Sequence, residues 1–596
     1  MKRYRFLLLA TAATLPTFAA DRWFEIRLSG QPTGYYFESE EKQASGTRSV
    51  EAMLFVMNRL GSKVEIKTRS ETLEDAAGMM VSVESEVSSS AQTTMMKAKR
   101  IAGAVDLESI TGGKRYTRVI PAAEPLFGPK GVEHLTLERL NKPGDRFSYD
   151  MFAPELGGVG HFTRTLDSRD GATLRVEEET AGMPGKTILS LGCDGNMVER
   201  KSELPFGQVV IEISNRETAL RAAQGSELKN EIFGSTLARS NVRLPDPRSI
   251  ERVRLKLTHH RPDLGWPPFD GENQKIIEKT ANTVILEITR PVLEPNHAPI
   301  EETAFLKPNA ILQSDDTEVT RLAHTIVGDE RDRFKAARKL QDWAAQNLKL
   351  DLGVALAPAS EVARNRGGTC AAYAVLLASL ERAAGIPSRF AMGYVYVDGI
   401  WGGHAWTEVL VNGQWIPLDA AAYAPGIADA ARFQFGSYTL EDNMSAAVSG
   451  GARLYGNLDV AVLEYTLNGR TYRVPEDAKP YNIAGDEYRN PWMGFAVHKH
   501  EGARFAKLDA VYPDSTIVAI EAANAKLEVE QDPPRGDVAG ESIRIDGREA
   551  HVVSSPGKVV VRIVEGNSMW VLTAEGPDAK RLMDETVAGW KWISAQ

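Results

Sequence analysis

The sequence predicts a multidomain α+β protein, and three observations carry that prediction. The chain has 596 residues, enough for about three to five domains at ~100–200 residues each. Both ends show long stretches in which apolar and polar residues alternate with period two, the mark of half-buried antiparallel strands. Between them the spacing turns helical and then returns to strands. The expected layout is a β-rich N-terminal domain over 21–215, a second β domain and linker over 216–300, a core over 301–475, and a small α+β domain over 476–596.

Each part has its own signals. Residues 1–20 read as a signal peptide. Lys2, Arg3 and Arg5 precede the apolar run that starts Phe6-Leu7-Leu8-Leu9, and Thr17-Phe18-Ala19 offers a small-residue cleavage site. The run is too short to span a bilayer, and no later stretch reaches the ~18 apolar residues of a membrane helix. The expected location is therefore periplasmic or secreted, with no stable membrane insertion. The chain is 43% hydrophobic with a formal net charge of -10. The basic surplus usual in nucleic-acid binders is absent, so no nucleic-acid partner is expected.

Over 21–215, Val81-Ser82-Val83-Glu84-Ser85 and Val209-Val210-Ile211-Glu212-Ile213 alternate, punctuated by Asp170-Gly171 and Asp194-Gly195 turns. The charge run Glu38 to Lys42 fits a solvated strand end. Arg252 to Leu257 and Thr283 to Ile288 supply the second β region. Helices follow. Ser314-Asp315-Asp316 offers caps for one that buries Val319, Leu322, Ala323 and Ile326. Another runs from about Arg331 to Leu348. The last domain closes with a hairpin at 559–572 and a helix after Pro577.

The chemistry concentrates in two motifs. In Arg366-Gly367-Gly368-Thr369-Cys370, the cysteine opens a helix whose apolar face is Ala374, Leu377, Leu380 and Ala384. Gly385-Ile386-Pro387 stops that helix. A helix N-terminus favours a thiolate and offers N–H groups to an oxyanion. The second motif is a hairpin. His404-Ala405-Trp406-Thr407-Glu408-Val409-Leu410-Val411 reads as a strand, Asn412-Gly413 as a two-residue turn, and Gln414 to Asp419 as the return. In that register 411 faces 414 and 406 faces 419, so Asp419 is a diagonal, same-face neighbour of His404, ~7–8 Å away at the backbone. Alone, an early helical cysteine is more often a small core residue, and a strand histidine is more often structural. Together the capped helix and the hairpin favour a nucleophile, base and orienting acid: Cys370, His404 and Asp419.

These residues resemble the transglutaminase-like superfamily in its bacterial exported form. The likeness runs from about Leu312 to Ala420. It covers the lead-in helix Phe334 to Leu348, Arg366 to Cys370, Leu380 to Arg389, Gly393-Tyr394, His404 to Val409 and Trp415 to Asp419. The resemblance implies a papain-like α+β core, flanked by β-rich N-terminal domains and the small α+β C-terminal domain. It implies Cys370 as nucleophile, His404 as general base and Asp419 as its partner. Relatives often carry acidic residues just before and two after the cysteine; this chain has Thr369 and Ala372 there. Trp23 to Gly30 and Gly34-Tyr35-Tyr36 look like the start of the same proteins' N-terminal β domain.

The implied reaction is acyl transfer or hydrolysis at an amide of a protein or peptide, with cell-envelope components among the candidate substrates. It needs no metal and no organic cofactor. Trp343 and Gln346 are candidates, by residue type only, for a second oxyanion donor. A different class of function remains open: a catalytically inactive binding or scaffold protein that keeps the fold. His498 and His500 lack ligand-spaced partners, and His259 and His260 would point to opposite strand faces, so neither pair makes a metal site. Cys193 lies before a turn, away from any helix start, and is not expected to pair with Cys370.

Overall fold

The computed structural model describes residues 21–59, 61–89, 92–204, 207–224, 234–269, 271–294, 302–354, 356–440, 444–506, 515–532, 540–565 and 568–594. The expected signal peptide at 1–20 lies outside them. The protein is multidomain and mostly β. No described helix is long and apolar enough to cross a membrane.

Residues 22–214 build one 15-stranded sheet. Strand Arg22–Leu28 sits inside it, pairing with Gln31–Gln43 on one edge and Gly207–Ser214 on the other. Antiparallel strands run outward from both edges, and the short strand Leu126–Phe127 adds in parallel at one end. The period-two pattern explains the packing: Val105 and Leu107 are buried while Asp106 between them is exposed. Two hairpin tips of this sheet reach the central part of the chain. The tip at 112–113 docks where Gln313 Nε2 donates to the Thr111 carbonyl at 3.0 Å and Tyr116 donates to Asp315 at 3.2 Å. The tip formed by Arg59 and Ser62 is the other.

The second β region does not stand alone. Its five-stranded sheet runs Gln274–Lys279, Thr283–Thr289, Ile250–His259, Leu458–Leu467, Arg470–Arg473. Its last two strands come from residues 458–473, inside the span expected as the core. The reason is edge pairing. Leu255 and Leu257 are fully buried, and their strand needs a ladder on both sides. Periodicity marks each strand but does not say that partners about 200 residues apart will meet.

The central part packs helices on an antiparallel sheet. Helices α1 (Thr317–Val327), α2 (Arg333–Asn347) and α3 (Ala359–Asn365) surround α4 (Cys370–Ala383). Asp316 caps α1 by accepting from the N–H groups of Glu318 and Val319. Helix α4 buries Leu376, Leu377 and Leu380. It ends in a Schellman turn: Gly385 adopts φ 77°, with Ile386 N–H donating to Glu381 and Gly385 N–H to Arg382. Against it lie β1 (Ser388–Val397), β2 (Ile400–Val411), β3 (Gln414–Leu418) and β4 (Arg432–Tyr438). β2 pairs with β1 and β3, and β1 also pairs with β4.

The C-terminal part holds a four-stranded and a seven-stranded sheet with one helix, Ala579–Ala588. Phe495, Trp570 and Trp590 share their core. The rings of Phe495 and Trp590 stack at 4.5 Å.

Candidate active site

The cysteine is placed by the start of a helix. Gly367 and Gly368 bridge to Lys349 and Leu350, and Thr369 is the N-cap, so Cys370 is the first residue of α4. Gly368 adopts φ 155°, and a Cβ there would sit 2.3 Å from the Cβ of Ala372. The neighbouring atom belongs to the helix itself and has no side-chain freedom to yield. Gly368→Ala is therefore expected to displace the start of α4, costing about 1–3 kcal/mol and slowing thiol alkylation at Cys370. Denaturant unfolding and an alkylation time course check this; a variant unchanged in both would show that the glycine is dispensable.

The histidine and the aspartate are placed by the hairpin. Val411 pairs with Gln414 and Thr407 with Leu418, the register expected from a two-residue turn. Asn412 and Gly413 have φ of 54° and 79°, both in the left-handed region that such a turn demands. The ladder ends one step before Asp419. His404 Nε2 lies 2.8 Å from Asp419 Oδ2. The carboxylate only accepts, so Nε2 carries the proton. The imidazole also bonds to the Cys370 thiol, and with Nε2 engaged by Asp419 this leaves Nδ1 for the sulfur.

Three charges in one buried line shift one another's ionisation. Burial lowers the His404 pKa, but the adjacent charges of Asp419 and Cys370, and the bonds to both, outweigh burial and raise it from 6.5 to about 9. Burial raises the Cys370 pKa; the charge of His404, its hydrogen bond and the Ala405 N–H reverse this, and the net shift is downward. Burial works against the charged form of Asp419 as well. His404 and Arg432 prevail and hold its carboxyl far below the usual range. The mutual shifts favour the thiolate form of Cys370 and the protonated form of His404.

Asp419 is itself held from all sides. Its Oδ1 accepts from the N–H groups of Ala421 and Ala422 at 2.9 and 3.0 Å. Its Oδ2 accepts from Arg432 at 2.7 Å. Arg432 is 4% exposed and also donates to Asp429, which accepts from Arg248 at 2.9 Å. The loop after Asp419 is threaded by Gln341 on α2. Gln341 Nε2 lies 3.0–3.1 Å from the carbonyl oxygens of Asp419, Ala424 and Gly426. Its Oε1 accepts from the Gly426 N–H at 3.0 Å.

Arg432, Asp429 and Gln341 were not singled out by the sequence. The available signal was a pair of opposite charges three apart inside the apolar run Ala430-Ala431-Arg432-Phe433. Of the two residues proposed by type as oxyanion donors, Gln346 is exposed. Trp343 stacks under the Arg366 guanidinium at 4.4 Å. Cys193 is exposed, and both cysteines are free. His498 and His500 face different carboxylates, Glu487 and Glu585.

Cys370 and His404 open on a cleft of about 500 Å³. Its walls come from four stretches of chain: Arg59 of the N-terminal sheet, Leu237 to Arg248, the central segment, and Gln531 of the C-terminal sheet.

Fold and site define a mostly β, multidomain protein with a transglutaminase-like region. Residues 320–420 match the transglutaminase-like superfamily. Among solved structures, the chain is similar to a protein from Cytophaga hutchinsonii titled "Putative Cysteine Protease". The identity is 17%, the match covers 39% of this chain and 91% of that one, and the TM-score is 0.25. A protein from Parabacteroides distasonis titled "Putative Protease" is 12% identical over 85% of this chain and 93% of its own, with TM-score 0.17. A "Beta-barrel-like Protein" from Brucella abortus is 11% identical over 33% of this chain and 95% of its own, with TM-score 0.27. At these identities and scores the three likenesses carry no functional argument. No protein of curated function matches the chain.

Proposed function

We propose that this protein is an exported cysteine enzyme with a papain-like transglutaminase core, acting on an amide of a protein or peptide substrate outside the cytoplasm. The observation that carries the reading is the continuous chain from the Cys370 sulfur through His404 to Asp419, closed by Arg432.

The chemistry follows from the ionisation of that chain. The Cys370 thiolate attacks the amide carbonyl, and the tetrahedral oxyanion forms beside the N–H at the start of α4. The His404 imidazolium gives its proton to the departing amine as the C–N bond breaks, leaving an acyl thioester. His404, now neutral, takes a proton from water or from an acceptor amine. That nucleophile expels the thiolate, releasing acid or a new amide. Asp419 holds the ring in the tautomer that each step needs.

The pH dependence tests this. Thiolate appears as pH rises through the depressed Cys370 pKa, so iodoacetamide should alkylate Cys370 well below pH 8 and faster than Cys193. Turnover needs the imidazolium proton as well, so it should fall as pH passes about 9 while alkylation does not. A Cys370 that titrates as an ordinary thiol would overturn the reading in favour of an inactive scaffold. Glutamine-donor peptides with and without an added amine then separate cross-linking from hydrolysis.

A further inference from the structure

The cleft at Cys370 and His404 is rich in aliphatic side chains, and they stand on both sides of the reacting pair. On the cysteine side, Leu350 bridges to Gly368, two residues before the nucleophile, and Leu352 lines the cleft next to it. Leu350 is 69% exposed, so a large apolar surface faces the space that a substrate would enter. On the histidine side, Leu237 lies against Gly402, two residues before His404. A Cβ on that glycine would stand 3.2 Å from Leu237 Cδ2. Val395 pairs with Gly402 across the strands, and Ile400 lines the same wall.

The charged walls are committed elsewhere. Arg243 donates to the Ser515 and Thr516 carbonyls at 3.0 and 3.2 Å and to Asp398 at 3.4 Å. Arg248 donates to Asp429 and to the Tyr396 carbonyl. Arg59 and Asp246 have partners of their own. A charged substrate group entering this cleft would lose water without gaining a free counter-ion. An aliphatic group would gain from leaving water, and sites of this kind bind through apolar walls with a few polar groups at the reacting centre.

We infer that the acyl donor is an apolar peptide segment, with a bulky aliphatic side chain next to the carbonyl that Cys370 attacks. Leu350 and Leu352 grip it from the cysteine side and Leu237 from the histidine side. Leu237 precedes the matched residues 320–420, so the selectivity of the cleft is set in part by chain outside the transglutaminase-like region. This inference rests on the reading of Cys370 as the nucleophile.

The p-nitrophenyl esters of acetyl-dileucine, acetyl-diglycine and acetyl-diglutamate test it in the full chain, with Cys370→Ala as the blank. In each case the thiolate attacks the ester carbonyl, the C–O bond breaks and p-nitrophenolate leaves. The acyl group stays on the sulfur as a thioester. Dividing each rate by that of N-acetylcysteine with the same ester removes the ester's own reactivity, and ratios among the esters cancel the thiolate fraction. The leucyl ester is expected to exceed the glycyl ester by about tenfold or more, and the glutamyl ester to fall below both. Leu350→Asn and Leu237→Asn should each cut the leucyl-to-glycyl ratio by about threefold to fivefold. Leu350 is already exposed, so its replacement does not threaten the fold. Equal rates for the three esters, a preference for the glutamyl ester, or a leucyl preference that survives both substitutions would overturn the inference while leaving Cys370 reactive toward iodoacetamide. A Cys370 with ordinary thiol titration would instead sink the enzyme reading, whatever the ratios.

Discussion

Replacing His404 with alanine is expected to slow alkylation of Cys370 at pH 6 by about a hundredfold or more. In the intact site the thiolate survives burial because an imidazolium lies beside it and bonds to it. Without the ring, burial is the dominant remaining influence, and burial favours the neutral thiol. The thiol then titrates at or above its ordinary value of 9.0. At pH 6 such a group is roughly one part in a thousand thiolate. The measurement is the second-order rate with iodoacetamide between pH 5 and 10. The variant's profile should be a single rise centred near or above pH 9, with Cys370→Ala as the blank. A His404→Ala profile that overlays the wild type would mean that the histidine does not activate the thiol. Asp419→Asn should fall between the two, because His404 keeps its place but loses the charge that raises its pKa to about 9.

The largest stability effect is expected at Arg432. Its guanidinium bridges the carboxylates of Asp419 and Asp429 at 2.7 and 2.8 Å, with all three side chains nearly inaccessible. Arg432→Ala leaves those charges with less compensation in a dry interior and opens a space beneath Trp406, over whose ring the guanidinium lies at 5.3 Å. Removing one partner of a buried ion pair typically costs about 3–5 kcal/mol. Urea unfolding should show a loss of that order, concentrated in the midpoint rather than the slope. The same variant should lower the thiolate fraction at Cys370, because a carboxylate stripped of Arg432 orients His404 less firmly. Asp429→Asn in the Arg432→Ala background removes one stranded charge and should recover part of the stability. A loss below about 1 kcal/mol would show that Arg248 and the loop amides hold the two aspartates without help.

Much of the site was legible because its parts are local. The glycines before Cys370 and the Gly385-Ile386-Pro387 stop after its helix lie within about twenty residues of one another. The His404–Asp419 pairing follows from a two-residue turn whose register leaves no freedom: side chains alternate, so a one-residue slip would put Asp419 on the other face. The parts not legible are those in which distant segments satisfy each other. Gln341 reads as an ordinary helical residue until the loop at 419–426 folds over it. Arg432 looks like a charge in an awkward apolar run until two carboxylates close around it. Gln346, chosen for its amide, turned out to lie on the solvent side of the same helix.

By itself the sequence determined the start and stop of the Cys370 helix and the hairpin that pairs His404 with Asp419. Each of these is fixed by capping, turn chemistry or side-chain alternation over a short span. Only the tertiary structure decided that Cys370 meets His404, that Leu458–Leu467 completes a sheet begun at Ile250, and that Arg59 of the N-terminal sheet enters the cleft. Those outcomes depend on which buried edges and charges find partners across hundreds of residues, and no local periodicity encodes that choice.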